Sequence, residues 1–554
     1  MKNSIRIILQ VALVGLLVLG LSSHAQAQSP PLWGKLSPGS YAVGFKSFWQ
    51  LDYARRYQMT FEDKTAYAPG KAPRPILINI WYPAKPTSNA KPMQHRDYLD
   101  IPSTDPMLAR FSAKLVEYDR GVITKELLGK PAKELNDQEK QVLEQFLDTP
   151  TASIRNAPPK EGKFPLVIYH SGNGSSFEDN AVLCEFLASH GYVVFGSAFQ
   201  EPSGASFNVD NGNIRDFEYL IGYAHQLSNV DWNHIGVIGH SAGAHAVLTY
   251  RAQSHCAADA IVSLDTTQDY YSLADNRWEP MTTTVVKNTK NMTGPLLMAA
   301  NPHAFFELAD SLSFARRYYF TIKDLDHNDF ISQGCIANEL RYRLRYPTSA
   351  KASSDPMPAE QAKEKAHVEA VRTAYEALCD YVLHFLDAEL KDDPTGKAFL
   401  AKQYRDTKLT DAAPHVVSMP IGSTRPEAYK VDSAIPPMPR QFRYFLHEQG
   451  PDKTVAVLKR FQKDAPNEPI YHHVFGFALV MELLEQGKTH DAIAFSDYYR
   501  QIGFDSGRMI LCWGKTYLNL GRKKMAADFF KKVLLLEPNN KEAAEKLKEL
   551  GESK

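Results

Sequence analysis

An apolar, β-branched run (Ile235, Val237, Ile238) delivers the chain straight into Gly239-His240-Ser241-Ala242-Gly243, a G-x-S-x-G motif. A helical pattern from Ala244 to Leu248 follows without a pause. Strand, sharp turn and helix in that order constrain what this chain can fold into more than any other stretch. They place a serine at the rim of a sheet whose strands alternate with helices. The two glycines are expected to permit a strained turn that no side chain would tolerate. That turn lifts the Ser241 hydroxyl clear of the sheet and leaves the Ala242 N–H free to bind an oxyanion.

The surrounding pattern supports such a sheet. Apolar runs at 165–169, 192–198, 235–238, 260–264, 295–300 and 317–322 alternate with helical stretches at 180–190, 214–228 and 366–390. Continuous apolar runs, rather than alternating ones, belong to strands buried on both faces of a parallel sheet. The expected fold class is therefore α/β, a mostly parallel sheet with helices on both faces. Residues 28–60 read as short β segments, and 75–83 as a strand. Residues 84–160 read as a polar insertion or lid-like region, helical over 137–147.

At 554 residues the chain is too long for one compact domain. The α/β part is expected over 28–402, followed by a Pro-rich linker at 403–440 and an all-helical region at 441–554. Within that region Gly487 and Gly521 lie 34 residues apart, as do Ala492 and Ala526. Gly514, Tyr517, Gly521, Ala526, Phe530 and Pro538 fall at the offsets of a tetratricopeptide helix-turn-helix, and 473–506 matches more weakly. A plain helical bundle is the alternative, since a single strong repeat is fewer than such arrays need.

Lysines and arginines number 63, and so do aspartates and glutamates. A balanced chain without a long basic run argues against nucleic acid as a partner. Lys2 and Arg6, the apolar core at 7–21 and Ala25-Gln26-Ala27 form a secretory signal, with cleavage expected before Gln28. The expected location is secreted or periplasmic, with no transmembrane span after cleavage; an uncleaved anchor is the alternative. The five cysteines (Cys184, Cys256, Cys335, Cys379, Cys512) form no CxxC pair, and their odd number leaves at least one unpaired within a chain. Cys184, Cys379 and Cys512 sit in helical apolar patterns and read as buried thiols. No motif suggests a metal or a cofactor.

Acyl transfer by serine needs a base, a carboxylate that orients the base, and N–H donors for the oxyanion. The base is expected after the last strand, and His327 stands there, following the run 317–322. The acid is expected to be Asp265, at the end of the strand 260–264. One strand later, where many such folds carry the acid, stands Asn301. Asp324, Asp326 and Asp329 compete with Asp265, but lie too close in sequence to His327 to brace its far nitrogen easily. His170-Ser171-Gly172-Asn173-Gly174 follows the strand 165–169 and is expected to supply a second oxyanion donor, the Asn173 N–H, beside that of Ala242. His245 reads as packing.

Together these residues resemble the platelet-activating-factor acetylhydrolase and dienelactone-hydrolase-like branch of the α/β-hydrolases. The resemblance spans roughly residues 38–392 and includes 41–45, 80–84 and 189–194. An acid placed this early favours the acetylhydrolases. The resemblance implies a cofactor-free serine esterase of acyl lipids or small esters, with Ser241 as nucleophile. Two departures stand out. The oxyanion segment here reads His170-Ser171-Gly172-Asn173-Gly174, and 84–160 has no counterpart. The leading expectation is a serine hydrolase whose tetratricopeptide-like region binds a protein partner or a second copy, or simply packs on the hydrolase. The alternatives are a non-catalytic scaffold on a hydrolase fold and a serine peptidase of the same fold; Asn301 argues against the latter.

Overall fold

The computed structural model describes residues 29–552 apart from 61–65, 86–89, 102, 104, 200–211, 254, 274–278, 348–356, 402–414, 420–421, 424 and 520. The expected signal segment 1–27 and most of the first part of the expected linker lie outside the described residues.

Among those residues ten strands form one sheet, in the order β10-β9-β8-β7-β6-β4-β5-β2-β1-β3. They are β1 (Ala42–Thr60), β2 (Ala66–Ala84), β3 (Ser153–Arg155), β4 (Phe164–His170), β5 (Val193–Gly196), β6 (Val230–His240), β7 (Ala260–Leu264), β8 (Leu296–Ala300), β9 (Arg317–Thr321) and β10 (His415–Met419). The strands from β5 through β9 are parallel to their neighbours. Antiparallel pairs flank them, β2 on β5 on one side and β10 on β9 on the other.

The apolar runs are continuous because both faces are covered. Leu166, Ile168, Val237, Ile261 and Met298 point into one core, with the helices Gly212–Ala224 and Ala242–Arg251 over them. Their neighbours Val167, Tyr169, Ile238, Val262 and Leu297 point into the other core, under the helices Ala181–Ser189 and Ala359–Leu390. Alternation along a strand thus divides residues between two cores rather than between core and water. This arrangement, with the serine turn at the end of the inner strand β6, is the α/β-hydrolase fold, and an all-helical region follows it.

Three readings change. The expected short β segments at 28–60 are one long hairpin, β1 with β2, bent by register shifts after Asp52 and after Tyr57. Polar residues on its solvent-facing side hide the strand period there. Within the stretch 403–440, His415–Met419 is a strand that closes the sheet edge against β9. Cys512 is exposed rather than buried, and the five thiols are all unpaired.

The stretch 84–160 carries the helices Pro106–Leu128 and Asp137–Leu147. They pack through Ile123, Leu127, Leu143 and Phe146 onto Ile336 and Leu340 of the helix Ser332–Arg345. Arg341 fastens the contact, donating to the carbonyls of Leu127 (3.1 Å) and Glu126 (2.6 Å).

In the C-terminal region, Gly487 and Gly521 both adopt φ of 73°, ending the first helix of successive antiparallel pairs. The same left-handed turn thus recurs at the 34-residue spacing. This region is joined to the sheet domain through the segment after β8. Phe305, 1% exposed, belongs to the core of the helical region and meets Phe475 edge-on at 5.3 Å. The buried Arg443 binds Glu482 at both carboxylate oxygens (2.9 and 2.8 Å) and reaches Glu307 at 2.6 Å. Arg440 binds Asp310 at 2.7 Å and lies 4.2 Å from the centre of the Tyr319 ring. Charges this deeply buried are tolerable only as pairs.

Candidate active site

Ser241 sits between β6 and the helix Ala242–Arg251 with φ 54° and ψ −118°, a backbone conformation unusual for a non-glycine residue. The expected role of the flanking glycines needs correction here. Neither Gly239 nor Gly243 has positive φ; the serine itself carries the strain. The glycines are needed for space. A Cβ on Gly239 would come 2.2 Å from the Gly243 carbonyl oxygen. One on Gly243 would come 2.3 Å from the His170 carbonyl oxygen and 2.5 Å from that of Ser171. The motif is therefore a stack of three backbone segments at contact distance, with Ser241 at its apex.

Three strand ends meet at this apex. Asp265 directly follows β7, and its N–H donates to the Ala299 carbonyl of β8 at 2.7 Å. His327 opens the turn that follows β9. Its Nδ1 donates to Asp265 Oδ2 at 2.6 Å, so in the neutral ring Nε2 carries the lone pair and accepts from the Ser241 hydroxyl at 2.9 Å. Burial pulls the imidazole pKa down. The hydrogen bond and charge of Asp265, with the charge of Glu126 adding to them, outweigh burial and hold it above the ordinary value of 6.5.

Asp265 and His327 are held from behind by residues whose sequence context carries no signal. Tyr270 donates its hydroxyl to Asp265 Oδ1, and the Asn301 N–H reaches the same oxygen at 3.4 Å. The Asn301 side chain donates to the Leu325 carbonyl at 3.1 Å, tying the end of β8 to the histidine loop. His240, the variable residue before the serine, donates from Nε2 to the His327 carbonyl at 2.9 Å. Burial and the neighbouring His327 push the His240 pKa down to about 3, so this imidazole stays neutral and acts as a fixed donor. Asp329 is occupied by its own loop and the helix Ser332–Arg345 that follows. It accepts the Asp326 N–H at 3.1 Å and the Asn338 amide at 2.8 Å, and so does not compete for His327.

Of the two expected oxyanion donors, Ala242 is half-buried at the start of its helix, adjoining Ser241. Asn173 is exposed, and the residue that abuts the nucleophile is its neighbour: a Cβ on Gly172 would lie 3.3 Å from the Ser241 Cβ. His245 is buried, with Nε2 3.3 Å from the Thr267 hydroxyl, and its backbone N–H donates to the Ser241 carbonyl at 3.4 Å. Among the described residues no cluster of His, Cys, Asp or Glu could hold a metal ion. None of their helices is long and apolar enough to cross a membrane.

No family model matches this sequence, and no curated protein does. Among solved structures, a ferulic acid esterase from Streptomyces cinnamoneus aligns with 68% of this chain and 96% of its own length. Its identity to this chain is 16% and the TM-score is 0.40. The fold assignment rests on the strand order and connections described above.

Proposed function

We propose that this protein is a serine hydrolase of carboxylic esters, working through an acyl-enzyme. The observation that carries the reading is the unbroken chain from the Ser241 hydroxyl to His327 (2.9 Å) to Asp265 (2.6 Å), at a strained turn. In this mechanism His327 Nε2 takes the Ser241 proton as Oγ attacks the ester carbonyl. The backbone N–H of Ala242 and one from the segment 172–173 bind the oxyanion. His327 then returns the proton to the leaving alcohol. Water, activated by the same imidazole, releases the acid and frees Ser241. Asp265 sets the ring tautomer throughout and stabilises the imidazolium. The acyl preference is read as a small ester or acyl lipid, after the acetylhydrolase resemblance. Hydrolysis of p-nitrophenyl esters across acyl lengths by the mature protein and by Ser241→Ala tests the reading. A folded protein with no turnover on any ester would move weight to a non-catalytic scaffold.

Because the imidazole must be neutral to accept a proton, kcat/KM is expected to fall as pH drops through the His327 pKa. The direction of that shift places the midpoint of the acid limb above pH 6.5. A pH–rate profile with its acid midpoint below 6.5 would remove Asp265 as the group that raises it.

We further read the chain as exported and its helical region as tetratricopeptide-like, serving to bind a protein partner or a second copy. The motif spacing and the paired φ 73° glycines support that reading. N-terminal sequencing of the exported protein is expected to start at Gln28, and light scattering to find more than one chain per particle or a stoichiometric partner. Retention of residues 1–27 and a lone monomer would count against both.

A further inference from the structure

His327 has a neighbour that the Ser241–His327–Asp265 chain does not account for. Its Nδ1 meets Asp265 and its Nε2 meets Ser241. A third part of the residue lines a cavity between its own turn, the helix Ser332–Arg345 and the insertion helix Pro106–Leu128. Neither Asp265 nor Ser241 lines this cavity, but Glu126 of the insertion helix does. A carboxylate and the imidazole therefore border the same space.

The other charged groups of this wall are engaged or solvated. Arg341 donates to the carbonyls of Glu126 and Leu127, and Asp329 accepts the Asp326 N–H and the Asn338 amide. Asp326 is exposed to water. Glu126 differs. It is partly buried, and among the described residues its carboxylate has no hydrogen bond and no ion pair. A carboxylate drawn out of water without a partner opposes folding, so stability does not explain its place. Burial raises its pKa above the ordinary carboxylate value, while Lys125, Arg341 and His327 pull it back.

The backbone of Glu126 is fixed to the element that carries the base. Arg341, which holds the Glu126 carbonyl, lies on the helix that follows the His327 turn. Ile123 and Leu127, on either side of Glu126 in sequence, pack onto Ile336 and Leu340 of that helix. The anchor uses the carbonyl and not the carboxylate, which leaves the side chain to act as a charge.

The reaction creates a need for such a charge. When Ser241 attacks, its hydroxyl proton moves from Oγ to Nε2 and the ring becomes an imidazolium. Positive charge then stands on His327 in the transition state and not in the ground state. A fixed negative charge beside the ring favours the first over the second.

We propose that Glu126 is a positioning residue for this reaction, a carboxylate supplied by the insertion that stabilises the His327 imidazolium from a side that Asp265 and Ser241 leave open. The inference rests on the serine-esterase reading and gives the insertion a part in it: the base reaches full strength only with the insertion docked.

The titratable and charged groups around His327 are Asp265 and His240 at the strand ends, Asp326 and Asp329 on its own turn, Arg341 on the next helix and Glu126 on the insertion. Of these, Asp265 and Glu126 raise the imidazole pKa, and His240 stays neutral. Glu126 also acts on the buried carboxyls of Glu178 and Asp179, whose pKa values burial pushes up.

The test is the pH dependence of kcat/KM on p-nitrophenyl acetate in the wild type, Glu126→Gln, Glu126→Asp and Glu126→Lys, with circular dichroism to confirm folding. Glu126→Gln is expected to lower the acid midpoint by about half a pH unit, and Glu126→Lys by about one unit. Glu126→Asp is expected to keep the midpoint between those of the wild type and Glu126→Gln. A loss of rate with the midpoint unmoved would mean that Glu126 only holds the insertion in place, and would overturn the assignment. A Glu126→Lys midpoint no lower than that of Glu126→Gln would do the same. Histidine labelled with ¹³C at Cε1 gives a reading independent of turnover. The His327 resonance is the one lost in His327→Gln, and its titration midpoint is expected to fall in Glu126→Gln by the same shift. If no ester is hydrolysed, the esterase reading fails, and the titration still decides whether Glu126 stabilises the imidazolium. An unmoved titration sinks the proposal in either case.

Discussion

Replacing Ser241 with alanine is expected to lower kcat for ester hydrolysis by roughly 10⁵–10⁶-fold, the usual loss when a serine nucleophile acting as one unit with its base is removed. The fold is expected to survive. Alanine must adopt the same φ of 54° and ψ of −118°, but the contacts that enforce this turn belong to Gly239, Gly243 and the carbonyls of His170 and Ser171, none of which changes. The variant should therefore still bind substrate. Steady-state assays on p-nitrophenyl acetate, with circular dichroism to confirm folding, check both halves of the expectation. A loss of less than about tenfold would mean that Ser241 is not the nucleophile.

Asp265→Asn is expected to cost about 10⁴-fold, although it changes one atom. The surroundings dictate which way the new amide turns. Oδ1 of Asp265 already receives the Tyr270 hydroxyl and faces the Asn301 N–H, so the asparagine oxygen must occupy that place. Its NH₂ group then faces His327 Nδ1. Two N–H groups cannot meet there, so the imidazole proton moves to Nε2, where it blocks acceptance of the serine proton. Tyr270→Phe removes one of those two donors and so lets the amide turn round. In the Asp265→Asn background it is expected to recover part of the lost rate, an outcome kinetics can read directly. If the double variant is no faster than Asp265→Asn, the tautomer account is wrong.

The parts of this site that the chain announces are those tied to strand ends. Ser241, Asp265 and His327 each follow an apolar run, and in a parallel sheet consecutive runs deliver their C-terminal ends to one rim. The contacts behind them are not announced. Tyr270 lies five residues beyond the acid on a short 3₁₀ turn, with no periodicity to mark it. His240 occupies a position the motif leaves open. Glu126 sits in a helix whose partner, Ser332–Arg345, lies over two hundred residues away in sequence, as the Arg341–Glu126 contact shows. The glycines were legible as necessary but not for the right reason, because a close approach of distant backbone leaves no local trace. The length of the hairpin β1–β2 is hidden for a related reason: its strands run well beyond their three-residue pairings with β3 and β5, and polar residues there blur the alternation.

Phe305 lies within the helical region's core although it belongs to the segment following β8, the same segment whose first residue, Asn301, touches the acid. Three residues thus separate a support of Asp265 from a foreign core. From there a column of rings runs outward: Tyr270 against His303 at 4.8 Å, and His303 stacked on His472 at 4.0 Å, at the entrance of the helix His473–Glu485. The boundary that composition suggests near residue 440 is consequently not a place where the molecule can be cut. A fragment ending there would present a bare phenylalanine, and the carboxylates of Glu307 and Asp310 without their arginine partners, to water, in the segment whose first residue meets Asp265. Gene fusions and truncations that treat the two parts as exchangeable cassettes would damage chemistry they never touch in sequence.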